Sequence, residues 1–320
     1  MTERTTSRRT VLKGAGAALA ALGAGAGLSG AVAAASPWET VESPTGNALY
    51  DVEYTSAGVY AIGAGGVVLR RGAEGYRKVL DGGPTGNGNS LYGADVTDDG
   101  ERLWFVGSSG AIGEYDVTTG NLVDHSAPLD VTNNFNDVSV TGEAGEANVY
   151  VAGDSGKTYY SFENGASQTW DYVTPGSGSN LNAIDFFGPR AGHSVDGNKT
   201  VFQTDDGGTW DTIGLADANV NFYAVDADDF DDVWIAGGGM IFHYDGAGWT
   251  PADTGDASLR DIEVAADDSA GLAVGGGGAV YDFDGRKWVA QATPTGQNLK
   301  AVVRGPTDVA VGAGGTVVER

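Results

Sequence analysis

Short apolar runs broken by glycine-rich turns recur along the chain from residue 49 to its end. An apolar-led segment appears as Leu49-Tyr50-Asp51-Val52, Leu91-Tyr92-Gly93-Ala94, Phe135-Asn136-Asp137-Val138, Leu181-Asn182-Ala183-Ile184, Phe222-Tyr223-Ala224-Val225, Leu259-Arg260-Asp261-Ile262 and Leu299-Lys300-Ala301-Val302, at spacings of 42, 44, 46, 41, 37 and 40 residues. A second run follows, such as Val59-Tyr60-Ala61-Ile62-Gly63 or Val233-Trp234-Ile235-Ala236-Gly237, and a Gly-rich turn leads to a third, alternating segment such as Gly65-Gly66-Val67-Val68-Leu69. These lengths and patterns predict short strands. The unit closes on a turn and an aromatic at Tyr76, Trp170, Trp210, Trp249 and Trp288. Four strands in a repeat of about 40 residues make one propeller blade.

Seven leading segments predict seven blades in one all-β domain spanning residues 36–320. The last repeat stops after its third strand, Thr316-Val317-Val318-Glu319-Arg320, and the piece it lacks stands at the other end as Trp38-Glu39-Thr40-Val41. Pairing the first strand with the last blade closes the ring and removes an open sheet edge. An open solenoid would need terminal caps and gains nothing from a split repeat. The glycine pairs serve tight hairpins in this arrangement, which makes a phosphate-cradling loop the poorer explanation for them.

The first 35 residues stand outside the repeat. Ser7-Arg8-Arg9-Thr10-Val11-Leu12-Lys13 resembles a twin-arginine export signal, Gly14 to Ala35 carries no charge, and Ala33-Ala34-Ala35 offers a cleavage site before Ser36. The expectation is therefore export by the twin-arginine route to the cell surface or beyond, with a cleaved signal rather than a retained anchor. Of 320 residues, 18 are Lys or Arg and 43 Asp or Glu, for a net charge of -25. Removing residues 1–35 takes away Arg4, Arg8, Arg9 and Lys13 against Glu3, leaving 14 bases, 42 acids and a net charge of -28. Acids distributed over nearly every turn resemble the surfaces of proteins from salt-loving archaea, and they oppose binding to nucleic acid or anionic lipid. The absence of Cys excludes disulfides, thiolate-bound metals and a cysteine nucleophile.

The succession Leu-x-Asp-Val, apolar run ending in Gly, Gly-Gly-x-Val, then Asp-Gly and Trp resembles the photosystem II stability/assembly-factor-like propellers and the broader BNR (Asp-box) group, with WD40/YVTN-like repeats. Thr204-Asp205-Asp206-Gly207-Gly208-Thr209-Trp210 matches a full Asp-box, and Asp245-Gly246-Ala247-Gly248-Trp249 and Asp284-Gly285-Arg286-Lys287-Trp288 are degenerate copies. The resemblance implies a seven-bladed scaffold in which Asp206, Gly207, Gly208 and Trp210 play a structural part at the blade periphery; it says far more about architecture than about activity.

Catalytic chemistry has little specific support. Secreted BNR propellers include glycosidases, which use paired carboxylates or a Tyr nucleophile. Acids do recur on the inner strands, as Asp51, Asp137 and Asp261 in one set and Glu53, Asp95, Asp185, Asp226 and Glu263 in another. Any two would serve as acid and base, so the signal selects none, and an arginine trio for a substrate carboxylate is missing. A glycoside hydrolase or polysaccharide lyase using these acids is the alternative to a non-catalytic protein. His125, His193 and His243 lie in three different blades without metal-ligand spacing and are expected to be ordinary surface or strand residues. Asp226, Asp228, Asp229, Asp231 and Asp232 crowd one hairpin but lack the Gly and distal Glu of a calcium loop, so they are expected to form a solvated turn. No metal and no cofactor is implied. Asn198-Lys199-Thr200 is a candidate glycosylation site.

The second residue of each leading segment gives the better clue. These are Tyr50, Tyr92, Asn136, Asn182, Tyr223, Arg260 and Lys300, with no aliphatic residue among the seven. Equivalent positions converge around the axis of a closed ring, so they are expected either to rim a funnel or to pack between blades. As a rim they would suit a sugar, through stacking and amide hydrogen bonds, or an acidic peptide, through the two cations. The expected protein is a monomeric, exported binding or interaction scaffold for a protein, peptide or glycan at the cell surface.

Overall fold

Each repeat folds as four antiparallel strands, and seven such sheets make up the residues that the structure, a computed structural model, describes: 37–176, 178–215 and 218–320. The export signal assigned to residues 1–35 lies outside them. Blades 1 to 7 begin with inner strands Leu49–Thr55, Leu91–Val96, Phe135–Thr141, Leu181–Phe186, Ala224–Asp229, Leu259–Val264 and Leu299–Val303. No described helix is long and apolar enough to cross a membrane.

Both faces of each blade are buried against a neighbour, which explains why the second strands are continuous apolar runs rather than alternating ones. Along Gly58–Gly63, Val59 and Ala61 pack with Val303, Val309 and Val311 of blade 7, whereas Tyr60 and Ile62 pack with Leu91, Leu103 and Phe105 of blade 2. The core is thus a ring of inter-blade layers, and no blade is self-sufficient. The turn between second and third strands carries left-handed residues, as at Gly66 (φ 71°), where a Cβ would stand 2.1 Å from the Gly83 backbone nitrogen.

The ring closes as the split repeat predicts. Glu39–Val41 pairs antiparallel with Val317–Glu319, in the register Glu39 with Glu319 and Val41 with Val317. Trp38 is buried at 5% exposure with Leu272, Val274, Leu299 and Val318. Ion pairs tie the closing sheet to both neighbours: Arg71 of blade 1 donates two 2.7 Å hydrogen bonds to Glu319, and Arg320 reaches Asp282 at 2.6 Å and Asp308 at 2.8 Å.

The candidate ligand-binding mouth of the channel

A recurring irregularity positions the mouth. In every leading segment the first and fourth residues lie in the same inter-blade layer: Leu49 with Val52, Leu91 with Ala94, Phe135 with Val138, Leu181 with Ile184, Phe222 with Val225, Leu259 with Ile262 and Leu299 with Val302. Residues three apart on a regular strand point to opposite faces, so this spacing demands one extra residue. The register supplies it. Leu49 pairs with Gly63 and Asp51 with Ile62, so Tyr50 is left over, and the same shift occurs at Tyr92, Asn136, Asn182, Arg260 and Lys300. A bulge re-aims its side chain, here out of the layers. In blade 5 the regular strand begins only at Ala224, and Tyr223 just before it keeps a backbone bond to the Ala236 carbonyl at 2.9 Å.

All seven residues consequently line one open cavity and are each half-buried. The ring has sectors. Tyr50 and Tyr92 meet edge-to-face with centroids 5.3 Å apart. The amides are turned to structural use: Asn136 Nδ2 donates to the Leu181 carbonyl at 2.8 Å and to Asp154 at 3.2 Å, and Asn182 Nδ2 donates to the Phe222 carbonyl at 2.6 Å. Arg260 lies over the Tyr223 ring at 4.1 Å, and beside it Lys300 has its pKa lowered, first by burial and then by the Arg260 charge. Two like charges held together in a half-buried site favour an anion between them.

The inner-strand aspartates below the mouth bind backbone, whereas Glu53 and Glu263 line the same cavity as the seven mouth residues. Asp51 Oδ1 accepts from the Val52 N–H at 2.8 Å and Oδ2 from the Ala94 N–H of the next blade at 2.7 Å. Asp137 joins blade 3 to Ile184 of blade 4 and Asp261 joins blade 6 to Val302 of blade 7, at 2.9 and 2.8 Å. Two residues further along, Asp95, Asp185 and Asp226 accept from Val140, Ala227 and Val264 of the following blades. These carboxylates are therefore inter-blade ties. Asp226, expected in a solvated turn, is buried for this reason. Replacing Asp137 by Ala leaves the Ile184 and Val138 amides without this acceptor and is expected to cost about 1–3 kcal/mol of stability, checked by denaturant unfolding.

At the periphery, Asp206 accepts from the Gly208 and Thr209 N–H groups at 2.8 and 2.6 Å, and the Thr209 and Gly208 amides hold its carboxyl down at about 2. A Cβ on Gly207 would meet the Tyr150 hydroxyl at 2.8 Å, and Trp210 packs edge-on to Phe186. Asn198 is exposed in the turn before Val201–Thr204. The three histidines fare differently: His193 is wholly buried, whereas His125 and His243 are partly exposed, with Nε2 at 3.2 Å from a Glu114 carboxylate oxygen and at 3.0 Å from an Asp232 carboxylate oxygen. Sequence reasoning missed the bulges, the ties and the setting of His243.

Fold and site together define a seven-bladed β-propeller with a bulge-lined channel mouth. No family model matches the chain, and no curated protein does. Solved structures do match in fold. YCF48 from Cyanidioschyzon merolae aligns with a TM-score of 0.67 at 17% identity, over 89% of this chain and 98% of that one. A structure of YCF48 bound to D1 peptide gives 0.67 at 14% identity, over 89% and 96%. Virginiamycin B lyase from Staphylococcus aureus gives 0.72 at 12% identity, over 88% and 98%.

Proposed function

We propose that the protein is an exported, non-catalytic scaffold whose channel mouth binds an acidic peptide presented at the cell surface. The observation that carries this reading is the convergence of seven bulged or strand-leading side chains on one open cavity, with Arg260 and Lys300 side by side among three tyrosines. The amide donors that would serve a sugar are engaged in blade packing, whereas the cations suit a carboxylate. One fold neighbour was solved bound to a peptide, which supports a peptide at a propeller surface without identifying this one. Six of the eight inner-strand acids accept backbone N–H groups, so the hydrolase alternative rests on Glu53 and Glu263, which line the same cavity. The excess of 42 acids over 14 bases after residue 35 belongs to the same reading, as adaptation to a salty exterior.

The test is a peptide and glycan array probed with the protein in high salt. Acidic peptides are expected to bind. Arg260→Ala is expected to weaken them about 10- to 100-fold by loss of a charge-assisted contact, and Tyr223→Ala by less, because it removes the ring under the guanidinium. Undiminished binding in both variants would remove the mouth as the site, and turnover of any glycan would overturn the non-enzyme reading.

A further inference from the structure

On the side of the ring away from the mouth, two strands of blade 5 and a hairpin of blade 6 bring three ligand-type side chains together. Asp232–Gly237 and Met240–Tyr244 pair with Trp234 opposite His243, so Asp232, two residues before Trp234, shares their face. The imidazole stacks on the indole with centroids 4.0 Å apart and planes 5° apart, and its Nε2 lies 3.0 Å from Asp232 Oδ1. Asp268 arrives from the hairpin between Leu259–Val264 and Gly271–Gly275. Donor atoms of Asp232, His243 and Asp268 all lie within 4.8 Å of one another, and the three side chains are half-buried.

Two features go beyond a chance meeting of acids with a histidine. Trp234 acts on two of the three groups at once: its ring fixes the imidazole plane, and its Nε1–H donates to Asp268 Oδ1 at 2.9 Å. Such outer contacts orient metal ligands. Asp268 also has φ 53°, a left-handed backbone that a non-glycine residue adopts at a cost.

We propose that Asp232, His243 and Asp268 form a binding site for a divalent transition-metal ion of the zinc class, linking blade 5 to blade 6. One imidazole nitrogen with two carboxylate oxygens is a donor set for Zn²⁺, Co²⁺ or Mn²⁺, whereas Ca²⁺ and Mg²⁺ select oxygen alone. Partial exposure leaves room for water in the remaining coordination positions. The ligands come from two blades, so the ion would add a staple to an interface that already carries the Asp226 tie, the Trp234–Asp268 hydrogen bond and apolar packing.

The experiment is calorimetric titration of the chelator-treated full chain with Zn²⁺, alongside Co²⁺ titration followed by tryptophan fluorescence. One saturable equivalent and quenching by Co²⁺ are expected, with excess Ca²⁺ failing to compete. His243→Ala and the volume-conserving His243→Gln are each expected to weaken Zn²⁺ by at least about 10-fold, and Trp234→Phe by about 10-fold through loss of orientation, while exposed Asp245→Asn leaves the affinity unchanged. Thermal unfolding in chelator, equal to that of the unmodified chain, shows that a variant is folded. Absence of saturable Zn²⁺ binding, or equal affinity in both folded His243 variants, overturns the site and leaves a hydrogen-bonded His–Asp pair.

Discussion

Replacing Trp38 by Ala is expected to lower the unfolding free energy by about 3–5 kcal/mol, the range for an aromatic removed from a packed core. Its ring lies among Leu272, Val274, Leu299 and Val318, and the Arg320 guanidinium sits 5.0 Å from its centroid. That arginine in turn holds Asp282 and Asp308, so the substitution loosens the join between blades 6 and 7 as well as the closing strand. Removing residues 1–43 goes further, because it strips Val317–Glu319 of its antiparallel partner and leaves a bare edge. The truncated chain is expected to unfold at lower denaturant and to associate. Urea unfolding with light scattering checks both; a monomer with an unshifted midpoint would show that the ring does not depend on its closing strand.

The second large effect is a loss of stability in acid caused by His193. The residue is 0% exposed, its ring is flanked by Phe187 and Phe230, and neither ring nitrogen has a hydrogen-bond partner among the described residues. Burial alone pushes its pKa from 6.5 down to about 3. The folded state therefore keeps the ring neutral over a range in which the unfolded chain takes up a proton. The contribution is fully favourable above the unfolded value of 6.5, and it is lost as pH falls from there toward 3. At about 1.36 kcal/mol per pH unit below 6.5, the loss accumulated from neutral pH down to pH 4.5 is roughly 2–3 kcal/mol. His193→Phe is expected to flatten this part of the stability profile at little cost near neutrality, since an apolar ring needs no hydrogen bonds there. Parallel profiles for the two proteins would sink the assignment. Carboxyls held low by backbone amides, such as Asp206, act only at still lower pH and are common to both.

The channel mouth shows how far a single chain can be read. The polar residue after each leading Leu or Phe was visible as a repeated position, but a plain strand assignment left open whether it faced the axis or a neighbouring blade. The apolar residue three places on held the missing signal. An odd spacing cannot put both apolar groups in one layer unless the strand bulges between them, and the bulge sends Tyr50, Arg260 and their equivalents to the mouth. The inner-strand aspartates were equally visible and equally ambiguous, because their partners are backbone amides more than 35 residues away.

Seven blades, four strands in each and the split last repeat follow from the sequence by itself, because strand period, turn glycines and repeat length are local properties that recur. Tertiary structure alone decided what the polar residues do. Asp137 ties blades, Asn182 spends its amide on packing, His193 is sealed away from water, and His243 meets Asp268 across an interface. Each of these outcomes depends on which side chain the neighbouring blade presents, and closure of the ring sets that pairing.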